Sequence, residues 1–242
     1  MSKLHGFSKL GDPDLESGGT LYPGLSLEDN ELRWSFIRKV YSILSMQLML
    51  TVAVAATVVL YTPLTLYITA TPGLLIGVSI LPLILMCPLY CYHQKHPVNL
   101  VLLGFFTVFL SLTVGISCAY TKGRIVLEAL ILTAAVVFSL TGYTFWASKK
   151  GKDFSFLGPV LFASLLVLFL FGFIQIFFPL GSLSTTIYGG VAAIIFSGYI
   201  VYDTDNLIKR FTYDQYVWAS VVLYLDILNL FLSLLQLLRG SD

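Results

Sequence analysis

The 242-residue chain is too apolar for a soluble globular protein, because 57% of its residues are hydrophobic and only 11% are charged, against about 25% charged in soluble domains. Its mean hydropathy of +0.86 indicates an integral membrane protein. The net charge of +1 supplies no basic face for nucleic acid, so no nucleic-acid partner is expected.

The chain opens with a polar segment over residues 1–33. It contains "GDPDLESGGTLYPG", which is rich in Gly, Pro and acidic residues, and it lacks the apolar core of a cleaved signal peptide. We expect a disordered cytosolic tail over 1–33, followed by a transmembrane domain over 34–242.

Seven apolar runs follow the tail, each near the 20 residues that a helix needs to cross a bilayer. They cover roughly 36–60, 73–92, 98–120, 125–147, 157–179, 186–208 and 216–238. Their connections are short, which favours sequential antiparallel neighbours in one bundle. The predicted fold class is an all-α integral membrane protein, a bundle of seven transmembrane helices.

Basic residues are distributed unequally between the two sides of this bundle. With a cytosolic N-terminus, the cytosolic side holds eleven of them: Lys3, Lys9, Arg33, Arg38, Lys39, Lys95, Lys149, Lys150, Lys152, Lys209 and Arg210. The other side holds three: Lys122, Arg124 and Arg239. Because Lys and Arg accumulate in short cytoplasmic loops, we expect the N-terminus in the cytosol.

The spacing of the cysteines and histidines does not indicate a metal site or a disulfide framework. Cys87, Cys91 and Cys118 lie in apolar runs without the spacing of a metal knuckle or a disulfide framework, so we interpret them as small buried hydrophobic residues. His93 and His96 are spaced i, i+3 beside a proline and lack further ligands nearby. Headgroup or loop contacts explain these histidines more simply than metal binding.

Ten of the thirteen acidic residues lie in the tail, in loops or at helix ends, and the remaining three lie inside the predicted spans: Glu128, Asp203 and Asp226. A carboxylate at mid-membrane costs at least about 2.5–3.5 kcal/mol, so each is a functional candidate. Glu128 stands near the start of the fourth run, on the non-cytosolic side, where it would line an ion entrance. The alternative is an interfacial carboxylate that the dipole of a helix N-terminus stabilises.

Asp203 and Asp226 lie in the sixth and seventh runs, on either side of the polar connection "TYDQY". A hairpin there puts both carboxyls about eleven residues, or about 17 Å, from the turn. Two carboxyls that meet in a poorly hydrated site share a proton, and so act as a pH sensor and gate. Deprotonation would push the helices apart and leave a transient site for Ca²⁺. Alternatively, each aspartate bonds a neighbouring Tyr, Asn or Lys and only fixes helix register.

The seventh run carries one polar stripe, since Asp226, Asn229, Ser233 and Gln236 recur at i, i+3, i+7 and i+10. Lipid cannot satisfy these side chains, so the stripe should face protein or water. Aspartates on consecutive membrane helices also suggest an intramembrane aspartyl protease, but its Gly-x-Gly-Asp is replaced here by "LYLD". No other catalytic motif is present, and no enzymatic activity is expected.

Five segments carry a family pattern: "FIRKVYSILSMQLMLT", "VLEALILTA", "KGKDFSFLGP", "FSGYIVYDTDNLIKR" and "LYLDILNLFLSLLQLL". They extend from about residue 33 to the end of the chain. This pattern resembles the Bax inhibitor-1, or transmembrane BAX inhibitor motif, superfamily, and within it the Lifeguard branch, most of all its plant members.

The resemblance implies a seven-helix fold with a central, semi-polar last helix, a pH-sensitive Ca²⁺ leak and suppression of programmed cell death. The family's aspartate pair falls on Asp203 and Asp226, and its fourth-helix acidic residue on Glu128. Some bacterial relatives have an Arg near the cytosolic end of the second helix that can latch the pair. This sequence has "CYHQKH" there, so His93 or Lys95 would have to replace that latch.

Two functions fit these features. The first is a proton-gated, Ca²⁺-permeable leak in the endoplasmic reticulum, another endomembrane or the plasma membrane. The second is a non-conducting scaffold that regulates cell death by binding other membrane proteins. Neither needs a tightly bound cofactor, and the expected partners are membrane lipid, Ca²⁺ and membrane proteins of cell-death pathways.

Overall fold

The computed structural model describes residues 20–178 and 181–241. Its helices are α1 (Leu27–Leu60), α2 (Thr62–Ala70), α3 (Pro72–Tyr92), α4 (Val98–Ala119), α5 (Gly123–Lys149), α6 (Leu157–Phe177), α7 (Ser182–Lys209) and α8 (Tyr216–Ser241), with a 3₁₀ turn at Tyr213–Gln215. Within the described residues, seven of these helices, all except the short α2, are long and apolar enough to cross a membrane. The predicted fold class is therefore confirmed, and α7 and α8 correspond to the sixth and seventh apolar runs.

The first helix begins at Leu27, inside the segment predicted as a tail. The Ser26 hydroxyl accepts a hydrogen bond from the Asp29 N–H at 3.1 Å, and acidic side chains in the first turn suit the helix dipole. Leu21 is buried, and its N–H donates to Asn30 Oδ1 at 3.0 Å. The cap at Ser26 allows α1 to begin before its apolar run does. A hydropathy pattern does not detect such a cap. The predicted tail over 1–19 lies outside the described residues.

The last helix, α8, is the centre of the bundle. It packs against α7, α5, α1 and α4. Half of the residues in its most apolar stretch are buried, against a third or less in each of the other spans. The expectation of a central, semi-polar last helix is confirmed.

The second span, α3, lies at the periphery. Cys87 and Cys91 on this helix are exposed, whereas Cys118 on α4 is buried. The interpretation as buried residues was correct for Cys118 and wrong for the other two. Composition shows that a run is apolar, but it does not show which face the bundle covers.

Basic side chains from distant parts of the sequence meet at one end of the bundle. Arg33 Nη1 at the start of α1 donates to the Phe211 carbonyl at 2.5 Å, after the end of α7. Lys209 at the end of α7 donates to the carbonyl of Lys152, between α5 and α6. We call this side the basic end and the opposite side the far end. Which of them faces the cytosol stays a prediction.

Candidate carboxyl-pair site

Asp203 on α7 and Asp226 on α8 meet inside the bundle, in the half nearer the basic end. Both side chains are buried, with 6% and 5% of their surface exposed. The two carboxyls lie within hydrogen-bonding reach of each other. We call these two groups the carboxyl pair. The hairpin between α7 and α8 brings the two residues together, at the depth that their spacing from the turn predicts.

The surroundings of the carboxyl pair contain fewer donors than two carboxylates need. Asn206 Nδ2 donates to Asp203 Oδ1 at 3.2 Å, and Tyr199, four residues before Asp203, lies on the same face of α7. Asp226 Oδ2 is buried and has no hydrogen-bond partner among the described residues. Buried polar atoms rarely stay unpaired. A proton between the carboxyls would supply the missing hydrogen-bond donor, and a bound cation would supply the missing positive charge.

Toward the far end, at Gly189, the helices α7 and α8 pack backbone against backbone. A Cβ atom built there would lie 2.9 Å from both the Leu237 backbone nitrogen and the Ser233 carbonyl oxygen. Gln236 Nε2 also donates to the Thr185 carbonyl of α7 at 3.2 Å. The two backbones thus pack against each other toward the far end, and the carboxyl pair lies between the two helices nearer the basic end.

The predicted polar stripe on α8 makes two kinds of contact. Asp226 and Gln236 reach α7, as described above. Asn229 Nδ2 donates to the Leu225 carbonyl at 2.8 Å, and Ser233 Oγ donates to the Asn229 carbonyl at 2.6 Å. These two bonds stay within α8. Within the described residues, the side chains at the two ends of the stripe therefore reach α7, and the two between them bond within α8.

A second polar layer lies on the opposite face of α8, and sequence reasoning missed it. Tyr224 is fully buried, and its hydroxyl lies 2.6 Å from Thr51 Oγ1 on α1. Ser111 on α4 also bonds Thr51, at 3.1 Å. Tyr224 precedes Asp226 by two residues, which is about 200° around a helix. One turn of α8 is therefore fixed by polar contacts on both faces.

Asp205, two residues after Asp203, is the other buried carboxylate on α7. Its side chain is 1% exposed. It accepts hydrogen bonds from Ser148 Oγ at 3.1 Å and from the Phe154 N–H at 3.2 Å, and Lys209 Nζ lies 2.5 Å away. Sequence reasoning missed this site, although the i, i+4 spacing of Asp205 and Lys209 is a signal of an ion pair.

The loop after α5 adds an outer contact to this cluster. Arg210 Nη2 lies 3.1 Å from Asp153 Oδ1, and Ser155 Oγ donates to Asp153 Oδ2 at 2.7 Å. The hydrogen bonds from Ser155 hold the pKa of the Asp153 carboxyl below its ordinary value. We call the whole cluster the clasp, formed by Asp205, Lys209 and Arg210 with Ser148 and residues 152–154.

Comparison with known proteins decides the family. The family model described as inhibitor of apoptosis-promoting Bax1 matches residues 33–242. The chain belongs to this family. The chain is 65% identical to a BI1-like protein and 63% identical to the protein LIFEGUARD 2, both of Arabidopsis thaliana. These alignments cover 96% and 95% of this chain, and 91% and 97% of the relatives.

A more distant relative is the Golgi anti-apoptotic protein of vaccinia virus (strain Lister), 38% identical over 87% of each chain. The predicted resemblance to the Bax inhibitor-1 family and its plant Lifeguard members is confirmed. The family description and the name of the vaccinia virus relative refer to inhibition of apoptosis, and none of the printed names states an enzymatic activity.

The two residues predicted to replace the latch of bacterial Bax inhibitor-1 proteins lie at the basic end. The His93 ring stacks on Tyr90 with 5.7 Å between centroids, and Lys95 Nζ lies 5.1 Å from the centre of the Tyr92 ring. Among residues 20–178 and 181–241, neither makes a hydrogen bond or an ion pair with the carboxyl pair. The structure does not bring this predicted latch to the site.

Glu128 lies near the far end, on the second turn of α5. Its Oε1 is 2.8 Å from Arg124 Nε, and 44% of its side chain is exposed. It is separate from the carboxyl pair, which lies toward the other end of the bundle. Across the described part of this Bax inhibitor-1 family chain, no three His, Cys, Asp or Glu side chains gather as a metal site.

Proposed function

We propose that this Bax inhibitor-1 family member is a pH-gated Ca²⁺ leak pathway that suppresses programmed cell death, with the carboxyl pair as sensor and gate. The observation that supports the proposal best is the contact between two buried carboxyls, one of which has an oxygen without a partner among the described residues.

Proton sharing is the chemical basis of the sensor. Two carboxylates in a low-dielectric site repel each other, and one proton between them converts the repulsion into a hydrogen bond. Two unit charges 4 Å apart repel by about 4 kcal/mol at an effective dielectric constant of about 20. Loss of the shared proton therefore adds a repulsion of this order to the interface between α7 and α8, and we propose that it separates the two helices there.

The packing of α7 on α8 favours opening at the basic end. At the far end, Gly189 brings the two backbones together, and Gln236 bonds Thr185. Repulsion between Asp203 and Asp226 acts in the other half of the same interface. The far contacts would therefore stay in place while the halves near the basic end separate.

The open pair would present carboxylate oxygens, which are the ligands that Ca²⁺ prefers. Two carboxylates are few for a resident Ca²⁺ site, which suits a permeant ion that binds transiently. Glu128, which is partly exposed near the far end, would attract the cation at an entrance. The route would then run from Glu128 to the carboxyl pair along α8.

We place the protein in an endomembrane, the endoplasmic reticulum or another, or in the plasma membrane, with the N-terminus in the cytosol. The eleven-to-three distribution of basic residues supports the orientation. The name of the vaccinia virus relative, which includes the Golgi, supports an endomembrane. Its partners would be membrane lipid, Ca²⁺ and other membrane proteins of cell-death pathways.

The proposal is tested by Ca²⁺ flux into liposomes that contain only the purified protein, between pH 5 and pH 8. The expected result is a flux that rises as the pH rises and the shared proton is lost. Absence of flux across the whole range, with the protein correctly folded, would favour the non-conducting scaffold, in which the aspartates only fix helix register.

A further inference from the structure

The last turns of α7 are held on two opposite faces. Asp203 faces α8 through the carboxyl pair. Asp205 lies two residues later, about 200° around the helix, and it contacts Ser148 at the end of α5 and the Phe154 N–H in the following loop. Because α5 and this loop lie on the side of α7 opposite α8, α7 can move outward from α8 only if these contacts rearrange or the loop moves with it.

The contacts of Asp205 are of the strong kind. Its carboxylate is 1% exposed and receives two hydrogen bonds in addition to the ion pair with Lys209, whose side chain is 15% exposed. Charge-assisted hydrogen bonds are roughly twice as strong as neutral ones. Removing one partner of a buried ion pair leaves an uncompensated charge. Lys209 also donates to the Lys152 carbonyl, which ties the helix end to the loop a second time.

The charged and titratable groups around the clasp are few. Asp153 and Arg210 form its outer contact, and Tyr41 of α1 lies against Thr204 of α7. Because the pKa of Asp153 is lowered by its hydrogen bonds from Ser155, Asp153 stays ionised between pH 5 and pH 8. The outer contact therefore does not change over the gating range.

Around the carboxyl pair itself, the facing groups are Asn206 and Tyr199 of α7. Building on the proposed function, we propose that Asp205 is a positioning residue of the gate. Through the clasp it fastens the end of α7 to the loop between α5 and α6, and so favours the closed state, in which Asp203 and Asp226 touch.

The direction in which the midpoint of the pH dependence moves follows from the stabilisation of the closed state by the clasp. Without the clasp, less repulsion is needed to separate α7 from α8, so the gate opens while more of the shared proton is still bound. Asp205→Asn keeps the size of the side chain but removes its charge, and it turns an acceptor of the Phe154 N–H into an amide group. We expect the midpoint of the pH dependence of Ca²⁺ flux to move to lower pH by about one unit, which is a tenfold change in the closed-to-open ratio.

The matched control is Asp214→Asn, because Asp214 is an exposed aspartate in the turn between α7 and α8 and lies outside the clasp. A second variant, Ser148→Ala, removes one neutral donor and keeps the charges. Ser148→Ala should move the midpoint in the same direction, but by less than Asp205→Asn does. If Asp205→Asn does not fold, Ser148→Ala serves as the test.

A readout without Ca²⁺ separates this inference from the proposed function. Trypsin cleavage after Lys149, Lys150 or Lys152 in the purified protein reports release of the loop, because a fastened loop resists proteolysis. We expect cleavage to be several-fold faster in Asp205→Asn than in wild type and Asp214→Asn. Flux that is pH-gated in wild type and has the same midpoint in all variants would overturn the positioning role, and so would unchanged cleavage. Absence of flux in the wild-type protein would refute the gate itself.

Discussion

Gly189 allows α7 and α8 to pack backbone against backbone, and replacing it tests whether this packing sets the geometry of the site. In Gly189→Ala, the new Cβ atom would lie 2.9 Å from the Leu237 nitrogen and the Ser233 oxygen. Ordinary contacts of a Cβ atom begin near 3.4 Å, so the two backbones must move apart by roughly half an ångström. Backbone atoms cannot rotate out of the way as a flexible side chain can.

The neighbouring glycine provides the control. At Gly190, the nearest atom to a new Cβ is Leu237 Cδ1 at 3.6 Å, which is an ordinary contact. Both substitutions gain about 0.5–1 kcal/mol from the greater helix preference of alanine. Only Gly189→Ala adds the cost of overpacking, about 1–3 kcal/mol. The two variants should therefore differ by about 1–3 kcal/mol, with Gly190→Ala at least as stable as wild type.

The assay is thermal unfolding of the detergent-purified protein, followed by a fluorescent thiol or tryptophan signal. For a chain of this size, roughly 3 °C of Tm corresponds to 1 kcal/mol, so Gly189→Ala should unfold about 3–9 °C below Gly190→Ala. Equal Tm values for the two variants would show that α7 and α8 do not touch at Gly189. The packing of α7 on α8 described around the carboxyl pair would then be wrong.

Further predictions concern topology, gating and the entrance. Tags at positions 10 and 151 should both be cleaved by protease on the cytosolic side of sealed vesicles, and protection of either would reverse or refute the orientation. Asp203→Asn and Asp226→Asn should each flatten the pH dependence of Ca²⁺ flux, with a double variant much like the singles because the two act as a unit. A wild-type pH profile in both folded single variants would remove the sensor. Glu128→Gln should lower the maximal flux and leave the midpoint unchanged, whereas unchanged flux would make Glu128 an interfacial carboxylate only.

The sequence alone was sufficient to predict the helical bundle and the central position of its last helix. Long apolar runs show the spans directly, and the polar residues at helical spacing on the last run mark a helix that lipid cannot surround. The depth of Asp203 and Asp226 followed from counting residues on both sides of one turn. Such inferences depend on local sequence and on the thickness of a membrane, and both are known in advance.

The rest depends on contacts between segments that are distant in sequence. The clasp joins Asp205 to Ser148 and Phe154, which lie more than fifty residues earlier in the sequence. The one sequence signal of the clasp is the i, i+4 spacing of Asp205 and Lys209. The early start of α1 depends on a cap at Ser26, which hydropathy does not measure. His93 and Lys95 were chosen by position on the second span, but their neighbours are aromatic rings and not the carboxyl pair.

The central claim is that Asp203 and Asp226 share a proton that is lost within the gating range. Infrared difference spectroscopy of the protein in lipid, recorded between pH 5 and pH 8, detects the carbonyl band of a protonated carboxyl group directly and does not depend on Ca²⁺ flux. The account predicts one such band that disappears as the pH rises in wild type and is missing from the folded Asp203→Asn, Asp226→Asn double variant. No titrating band in wild type, or a band of equal size in the double variant, would contradict it.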